Sequence, residues 1–217
     1  MSVIVHPTPS PLSAAEMAPW GEIPVSVAVD NGVAQIDPAI RPLLPPGRQP
    51  RLFGRAVTAY CEPPDFGAVL HALERVGKGD VLVIAAGGDR ETAMIGEILC
   101  GHLRRLGGAG VVCDGAVRDV ATLAGFADFA AFSRFVTPRG PISAARGAVN
   151  VPVMVGGAWI SPGDVILGDD DGLAALTPQT ARTCLAAARA KVASEAEWIA
   201  GLTAGRSVAE VFGLELP

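Results

Sequence analysis

Between Phe53 and Gly125, short apolar runs alternate with helically spaced segments. No other feature constrains the fold as much, because strands that alternate with helices build layered α/β structures. Phe53–Cys61 (FGRAVTAYC) carries the β-branched and aromatic residues of a strand. Phe66–Val76 has helical spacing. The turn Gly77-Lys78-Gly79-Asp80 then feeds Val81-Leu82-Val83-Ile84, which reads as a buried strand. Next come a Gly-Gly-Asp loop, a helix over about Thr92–Leu106 and a short strand at Val111–Cys113. Asp114–Asp119 reads as a loop, followed by a short helical turn to Gly125.

Later, strand-like pieces cluster at Val151–Val155, Val165–Leu167 and Leu173–Leu176. A long Ala-rich helix is expected over Pro178–Leu202, with Thr177 as its cap and Pro178 near its start. A short helix around Val208–Phe212 closes the chain. This order predicts a layered α/β domain with mixed sheets, not a plain doubly wound fold. The Pro- and Ser-rich residues 1–20 are expected to pack loosely or cap the surface. The Pro-rich stretch at Pro42–Pro50 reads as a surface connection, since apolar periodic segments flank it.

Half of the 217 residues are hydrophobic and 18% are charged, which suits a globular chain with a sizeable core. The formal net charge of −5 argues against nucleic acid as a partner, because phosphate attraction supplies most of that affinity. Cys61, Cys100, Cys113 and Cys184 lack metal-site spacing and read as small, mostly buried apolar residues. Residues 1–20 do not read as a signal peptide, and no apolar run has the length of a membrane span. A soluble cytoplasmic protein with reduced thiols is expected.

Several familiar motifs fail on inspection. Gly107-Gly108-Ala109-Gly110 follows a helix and precedes a strand, the reverse of a dinucleotide-binding turn, and reads as a helix C-cap. Phosphate-loop and GxSxG patterns are absent, as is any nucleotide-type glycine loop that would support a methyltransferase. His6, His71 and His102 have no metal-ligand spacing. Asp169-Asp170-Asp171-Gly172 lacks the other ligands of a calcium loop and reads as a turn between two short strands.

Two loops carry the chemistry. Gly87-Gly88-Asp89 leads towards Gly96-Glu97-Ile98-Leu99, and Asp114-Gly115-Ala116-Val117-Arg118-Asp119 follows the next strand. Both should emerge at the same edge of the sheet, where ligands of α/β folds bind. Free amides at a helix start can hold a carboxylate, and Gly96 removes side-chain bulk there. Arg118 offers a planar fork for a carboxylate, Asp119 a hard oxygen for Mg²⁺ or Mn²⁺, and Glu97 a second carboxylate for a water on the metal. Such parts suit a 2-oxo acid. Read alone, the Arg-Asp pair serves equally well as an ordinary helix cap with a surface ion pair. The only lysines, Lys78 and Lys191, lie away from both loops, so a metal suits enolate stabilisation better than a Schiff base.

These residues, with Gly79-Asp80-Val81-Leu82-Val83, Val151-Pro152-Val153, Pro162-Gly163-Asp164 and the Asp169–Gly172 run, resemble the family of ribonuclease activity regulator A (RraA) and the 4-hydroxy-4-methyl-2-oxoglutarate aldolases. The resemblance starts near Ile23, which divides the chain into an extension over 1–22 and an RraA-like aldolase domain over 23–217. It implies a single-domain β/β/α sandwich assembled as a homotrimer or hexamer, with sites between subunits and no membrane partner. It also implies a pyruvate-enolate mechanism with Mg²⁺ or Mn²⁺, and oxaloacetate decarboxylation as a side activity. On that model Arg118 binds the pyruvyl unit, Asp119 ligates the metal, Gly96 and the amides near Ile98 and Leu99 hold the carboxylate, and Glu97 positions water. Glu195 of a neighbouring subunit is the best match for a further, water-mediated acidic group, with Glu197 as its rival. Some members are instead non-enzymatic regulators that bind a ribonuclease. The terminal helix with Glu195 favours the enzyme.

Overall fold

A computed structural model describes residues 2–215. Met1, Leu216 and Pro217, the outer ends of the expected extension and domain, lie outside them. Strands β4 (Leu52–Tyr60), β5 (Asp80–Ala85), β7 (Gly110–Val117) and β8 (Ala130–Val136) pair in parallel, in that order. Parallel neighbours need a crossover, and helices supply each one. These are α3 (Gly67–Leu73), α4 (Glu97–Arg105) and α5 (Val120–Leu123). Beyond β4 the sheet turns antiparallel through β12 (Val165–Asp169), β13 (Gly172–Leu176) and β2 (Ala34–Ile36), and β3 (Arg41–Pro42) closes the other edge. Short strands β1 (Ile4–Val5), β6 (Ala93–Ile95) and β9 (Ala148–Val149) join the same sheet, while β10 (Val153–Val155) and β11 (Ala158–Ile160) form a separate hairpin.

Strand alternation assigns the core to two faces. Val57, Leu82, Ile84, Val111 and Cys113 pack against Val69, Ala72, Leu73, Cys100 and Leu103 of α3 and α4. Ala56, Val81, Val83, Val112 and Phe132 face the hairpin through Val153, Val155 and Ile160. Hairpin, sheet and helices thus form three layers of one mixed α/β domain, as expected. On the antiparallel part, Val165, Leu167, Ala174 and Leu176 are covered by α1 (Ala14–Met17), α2 (Val25–Asp30), α6 (Pro178–Thr183) and α7 (Leu185–Thr203). The N-terminal residues contribute more than a loose cap. Leu12 and Trp20 are core residues, and the Trp20 indole donates to the carbonyl of Ala181 at 3.1 Å. The final helix is α8 (Val208–Phe212).

Three expected boundaries change. The helix expected from Thr92 begins only at Glu97, because Ala93 and Ile95 pair with Ala116 and Val117 as β6. The loop expected from Asp114 begins only at Arg118, because β7 runs on to Val117. The terminal helix is divided at Cys184 (φ −95°, ψ −14°), so that α6 lies against β13 and α7 against α2. Other local readings hold. Thr177 accepts from the Thr180 amide at 3.1 Å, with Pro178 in the first turn. Gly107, at φ +82°, ends α4, with the amides of Gly107 and Gly108 returning to Arg104 and Leu103. Asp169 pairs with Gly172 across the β12–β13 turn, and its carboxylate accepts from Val25 and Asp171. Among the described residues no helix is long and apolar enough to cross a membrane. Cys61, Cys100 and Cys113 are buried, and burial pushes the Cys61 and Cys100 thiols up to about 12.

Asp164, before β12, is 3% exposed and accepts from the Ser161 amide at 2.7 Å. Burial pushes its carboxyl up to about 6, against the pull of that amide. The folded chain therefore keeps this proton at pH values where the unfolded chain has lost it. The resulting stability is present at acid pH and fades as pH rises towards 6. Asp164→Asn keeps the amide acceptor and should raise stability at pH 7 by about 1–3 kcal/mol, with little gain at pH 4. Thermal unfolding of both proteins across that range checks it, and an equal gain at both pH values contradicts the assignment.

Candidate active site

β5 and β7 end side by side, and the chain leaving β7 carries Arg118 and Asp119 to the edge of the sheet. Asp119 is left-handed (φ 60°, ψ 36°), a conformation that aspartate tolerates better than most residues. Although it precedes α5, its side chain makes no capping bond there. It reaches α4 instead, where Oδ2 accepts from the Glu97 amide at 3.0 Å and lies 3.5 Å from Arg118 Nε. The carboxylate thus serves a different helix from the one it precedes. The next amides of α4, those of Ile98 and Leu99, have no acceptor within the helix.

Gly96 makes the arrangement sterically feasible. Its backbone is extended (φ −154°, ψ −161°), which any residue adopts, so the constraint is space. A methyl group there would overlap Asp119 Oδ2 and lie 2.8 Å from Arg118 Cγ. Gly140 leaves similar room beside the Arg118 guanidinium, 2.6 Å from where its own methyl would sit. The Arg118 side chain is 42% exposed and the Asp119 side chain 34%, so both are open to a ligand. Glu97 projects from the first turn of α4, and Thr122 of α5 donates to its Oε2 at 2.7 Å. A hollow of about 250 Å³ opens beside the pair, between the start of α3, β6, α4 and Pro141.

Buried carboxylates hold the walls. Asp65 accepts from the amides of Gly67, Ala145 and Arg146 and from the Ser143 hydroxyl, fastening the 138–146 segment to the start of α3. Burial alone would raise its carboxyl, but these donors together hold it below the usual carboxylate range. Asp114 of β7 accepts from Arg134 at 2.7 Å and from the Gly156 amide at 2.9 Å, and Arg134 also pairs with Asp37 at 2.7 Å. The Asp114 carbonyl accepts from Gly88, which anchors the glycine loop.

Asp119 lines the hollow, and Glu97 reaches from the first turn of α4 to Thr122. Mg²⁺ and Mn²⁺ favour oxygen ligands, and Mg²⁺ is usually held by one or two carboxylates completed by waters and substrate oxygens. The donor set fits that pattern. Among the described residues no cluster of three or more His, Cys, Asp or Glu would enclose an ion unaided.

Residues 28–174 match the family model described as "RraA-like: Aldolase/RraA". The chain belongs to this family. It is 34% identical over 171 residues, 79% of each chain, to a Halalkalibacterium halodurans protein provisionally named 4-hydroxy-4-methyl-2-oxoglutarate aldolase. Its fold superposes on an uncharacterized protein of Pseudomonas syringae pv. tomato with a TM-score of 0.82, covering 94% of this chain and 99% of that one at 24% identity. It also resembles Streptomyces coelicolor RraAS2, described as an unusual member of the RNase ES inhibitor RraA family. That match has a TM-score of 0.73 and 26% identity, over 84% of this chain and 96% of the other.

Of the residues singled out in the sequence, Gly96, Glu97, Ile98, Leu99, Arg118 and Asp119 come together. Glu195 does not join them within one protomer. It sits on α7, 3.8 Å from Lys191, and Glu197 is exposed on the same helix. The Gly87-Gly88 loop does not open a helix; Asp89 instead accepts from the Thr92 amide at 2.8 Å, ahead of β6. Sequence reading missed Thr122, Asp65 and the Asp37–Arg134–Asp114 chain. Their partners lie 20 to 97 positions away, apart from the contacts of Asp65 with Gly67 and of Asp37 with Ala39, so no local pattern reveals the chain of contacts. Gly96→Ala should fold, since the backbone permits alanine, but should displace Asp119 and Arg118 and lower kcat/KM by about 100-fold. Thermal unfolding beside steady-state kinetics tests this. Unchanged kinetics would show that neither side chain depends on the vacant space.

Proposed function

We propose that this protein is a divalent-metal-dependent lyase that cleaves 4-hydroxy-2-oxo acids to pyruvate and also decarboxylates oxaloacetate. The observation that carries this reading is the placement of Asp119 and Arg118 together over Gly96, at the first turn of α4. The Arg118 fork takes the substrate carboxylate, with the free amides of Ile98 and Leu99 beside it. Asp119, with Glu97 through water, would hold Mg²⁺ or Mn²⁺. When bound, the ion supplies positive charge that stabilises the enolate formed as the carbon–carbon bond breaks. In cleavage the bond between C3 and C4 breaks, the C4 hydroxyl loses its proton to become a carbonyl, and the electron pair stays on C3. Protonation of C3 then gives pyruvate. Oxaloacetate follows the same course with carbon dioxide as the leaving fragment. Thr122 keeps Glu97 turned towards α5, and Gly96 and Gly140 let the reactive pair sit close to the ligand.

The name carried by the Halalkalibacterium relative supports this reading. In the proposed assembly, a homotrimer or hexamer, Glu195 from a neighbouring copy completes the acidic set, with Glu197 as the alternative. A second reading is a non-enzymatic regulator that binds a ribonuclease, and the likeness to RraAS2 favours it. Oxaloacetate turnover with Mg²⁺ or Mn²⁺, followed by pyruvate release and stopped by EDTA, separates the two. Metal-independent turnover, or none with any divalent ion, contradicts the lyase.

Variants sharpen the test. Asp119→Asn keeps an acceptor for the Glu97 amide but loses the charge, so it should fold normally and lose about 100-fold or more in kcat. Arg118→Ala should abolish carboxylate anchoring, and Arg118→Lys should recover only part of it, because a point charge does not replace a bidentate fork. Asp170→Asn, in the β12–β13 turn, should leave turnover near the wild-type value. If folded Asp119→Asn keeps the wild-type rate and metal dependence, the metal lies elsewhere.

A further inference from the structure

The Arg118 guanidinium packs against backbone. Its Nε stands 3.5 Å from Asp119 Oδ2, beyond the usual hydrogen-bond length. Its Nη1 lies against Gly140, only 2.6 Å from where a methyl group on that residue would sit. A fixed wall there limits the fork without consuming its donors, which stay available for a carboxylate. Gly140 belongs to the stretch between β8 and β9, which has no helix or strand of its own. Its position must therefore come from contacts with other segments.

Those contacts flank Gly140 on both sides. Before it, the Arg139 carbonyl accepts from the Ala93 amide at 2.8 Å. After it, the Ile142 amide donates to the Pro64 carbonyl at 3.1 Å, and the Ser143 carbonyl accepts from the Phe66 amide at 3.0 Å. The remaining anchor is one carboxylate. Asp65 Oδ1 accepts from the amides of Gly67 at 2.8 Å and Arg146 at 3.1 Å. Its Oδ2 accepts from the Ala145 amide at 2.9 Å and from the Ser143 hydroxyl. Asp65 is 0% exposed inside one protomer, so these bonds do not depend on a neighbouring copy.

Resting on the lyase reading above, we propose that Asp65 is a positioning residue for the reaction: it holds the Gly140 wall, and through that wall the Arg118 fork, in place for the substrate carboxylate. Asparagine cannot take over this task. Whichever way its amide turns, one oxygen is replaced by an NH₂ that accepts nothing, and two of the four donors then face another donor. Buried donors left without a partner are costly, so the segment shifts or loosens. The substrate carboxylate is bound before and throughout bond cleavage, so a displaced fork costs affinity more than turnover. Asp119 is held by the Glu97 amide and not by this segment, so metal dependence should not change.

Oxaloacetate decarboxylation by the full chain with Mg²⁺ tests this, with thermal unfolding to show which variants are folded. Asp65→Asn should raise KM about tenfold, with kcat and the half-saturating Mg²⁺ concentration within about threefold of wild type. The same substitution is then made beside Arg118→Lys, whose flexible ammonium does not need the wall. There it should change kcat/KM by less than about twofold, because residues that act through one another are not additive. An equal loss in both backgrounds, or a folded Asp65→Asn with the wild-type KM, overturns the inference and leaves the lyase standing. Should Asp65→Asn not fold, Ser143→Ala carries the same comparison. It deletes the hydroxyl and keeps the amide donors, so KM should rise about threefold beside Arg118 and not beside Arg118→Lys, and a wild-type KM overturns the inference. Calorimetry with pyruvate and Mg²⁺ reads affinity without turnover. Pyruvate binding that Asp65→Asn weakens only beside Arg118, with no oxaloacetate turnover by the wild type, removes the lyase and retains the coupling of Asp65 to Arg118. No binding of pyruvate by the wild-type chain removes both.

Discussion

β5 and β7 pair in parallel from Val81 opposite Gly110 to Ala85 opposite Asp114, buried on both faces. A slip of one residue would exchange the helix-facing set, Leu82 and Ile84, for the hairpin-facing set, Val81 and Val83, so the register is strongly specified. Everything at the site follows from where these two strands stop. The Asp114 carbonyl receives the Gly88 amide from the loop after β5, while the Asp114 carboxylate receives Gly156 from the hairpin layer. One residue of β7 thus ties three segments together a few positions before Arg118.

The polar groups near this edge are nearly all paired, which is what a low-dielectric surrounding demands. Asp65 illustrates the balance. Its burial opposes the charge, but four donors outweigh it and keep the carboxylate ionised well into acid. Asp164, with only the Ser161 amide on its side chain, falls on the other side of that balance. Both aspartates are at most 3% exposed, but the Asp65 side chain receives four donors and that of Asp164 one. At the mouth of the hollow the arrangement is more open: Asp119 has one amide on Oδ2, and its side chain remains a third exposed. A rigid frame thus surrounds an accessible charged pair, the arrangement that favours ligand binding without reorganisation.

Charge and hydrocarbon meet at Gly96. On one side lie Asp119, Arg118 and the first amides of α4; on the other lie Met94, Leu70 and Phe66. The left-handed backbone of Asp119 places the charge at this boundary, since it turns the carboxylate from its own helix to the neighbouring one.

Much of this was legible in the chain before folding. Apolar runs and helical spacing placed β4, β5, β12, β13 and α3 to within a few residues, because strand and helix periods are local. Thr177 and Gly107 acted as caps for equally local reasons. The residue types and spacing around Gly96, Glu97, Arg118 and Asp119 pointed to a carboxylate and metal site. The sequence could not choose between that site and an ordinary cap. Tertiary structure adds what no local pattern shows, the Asp119–Glu97 contact, which spans 22 positions and follows the pairing of β6 with β7. Ala93-Met94-Ile95 merged with the helical pattern that follows, since a three-residue strand is too short to show a period of its own. The frame around Asp65, the kink at Cys184 and the apolar walls facing Arg118 were decided in the same way, by contacts between segments distant in the chain.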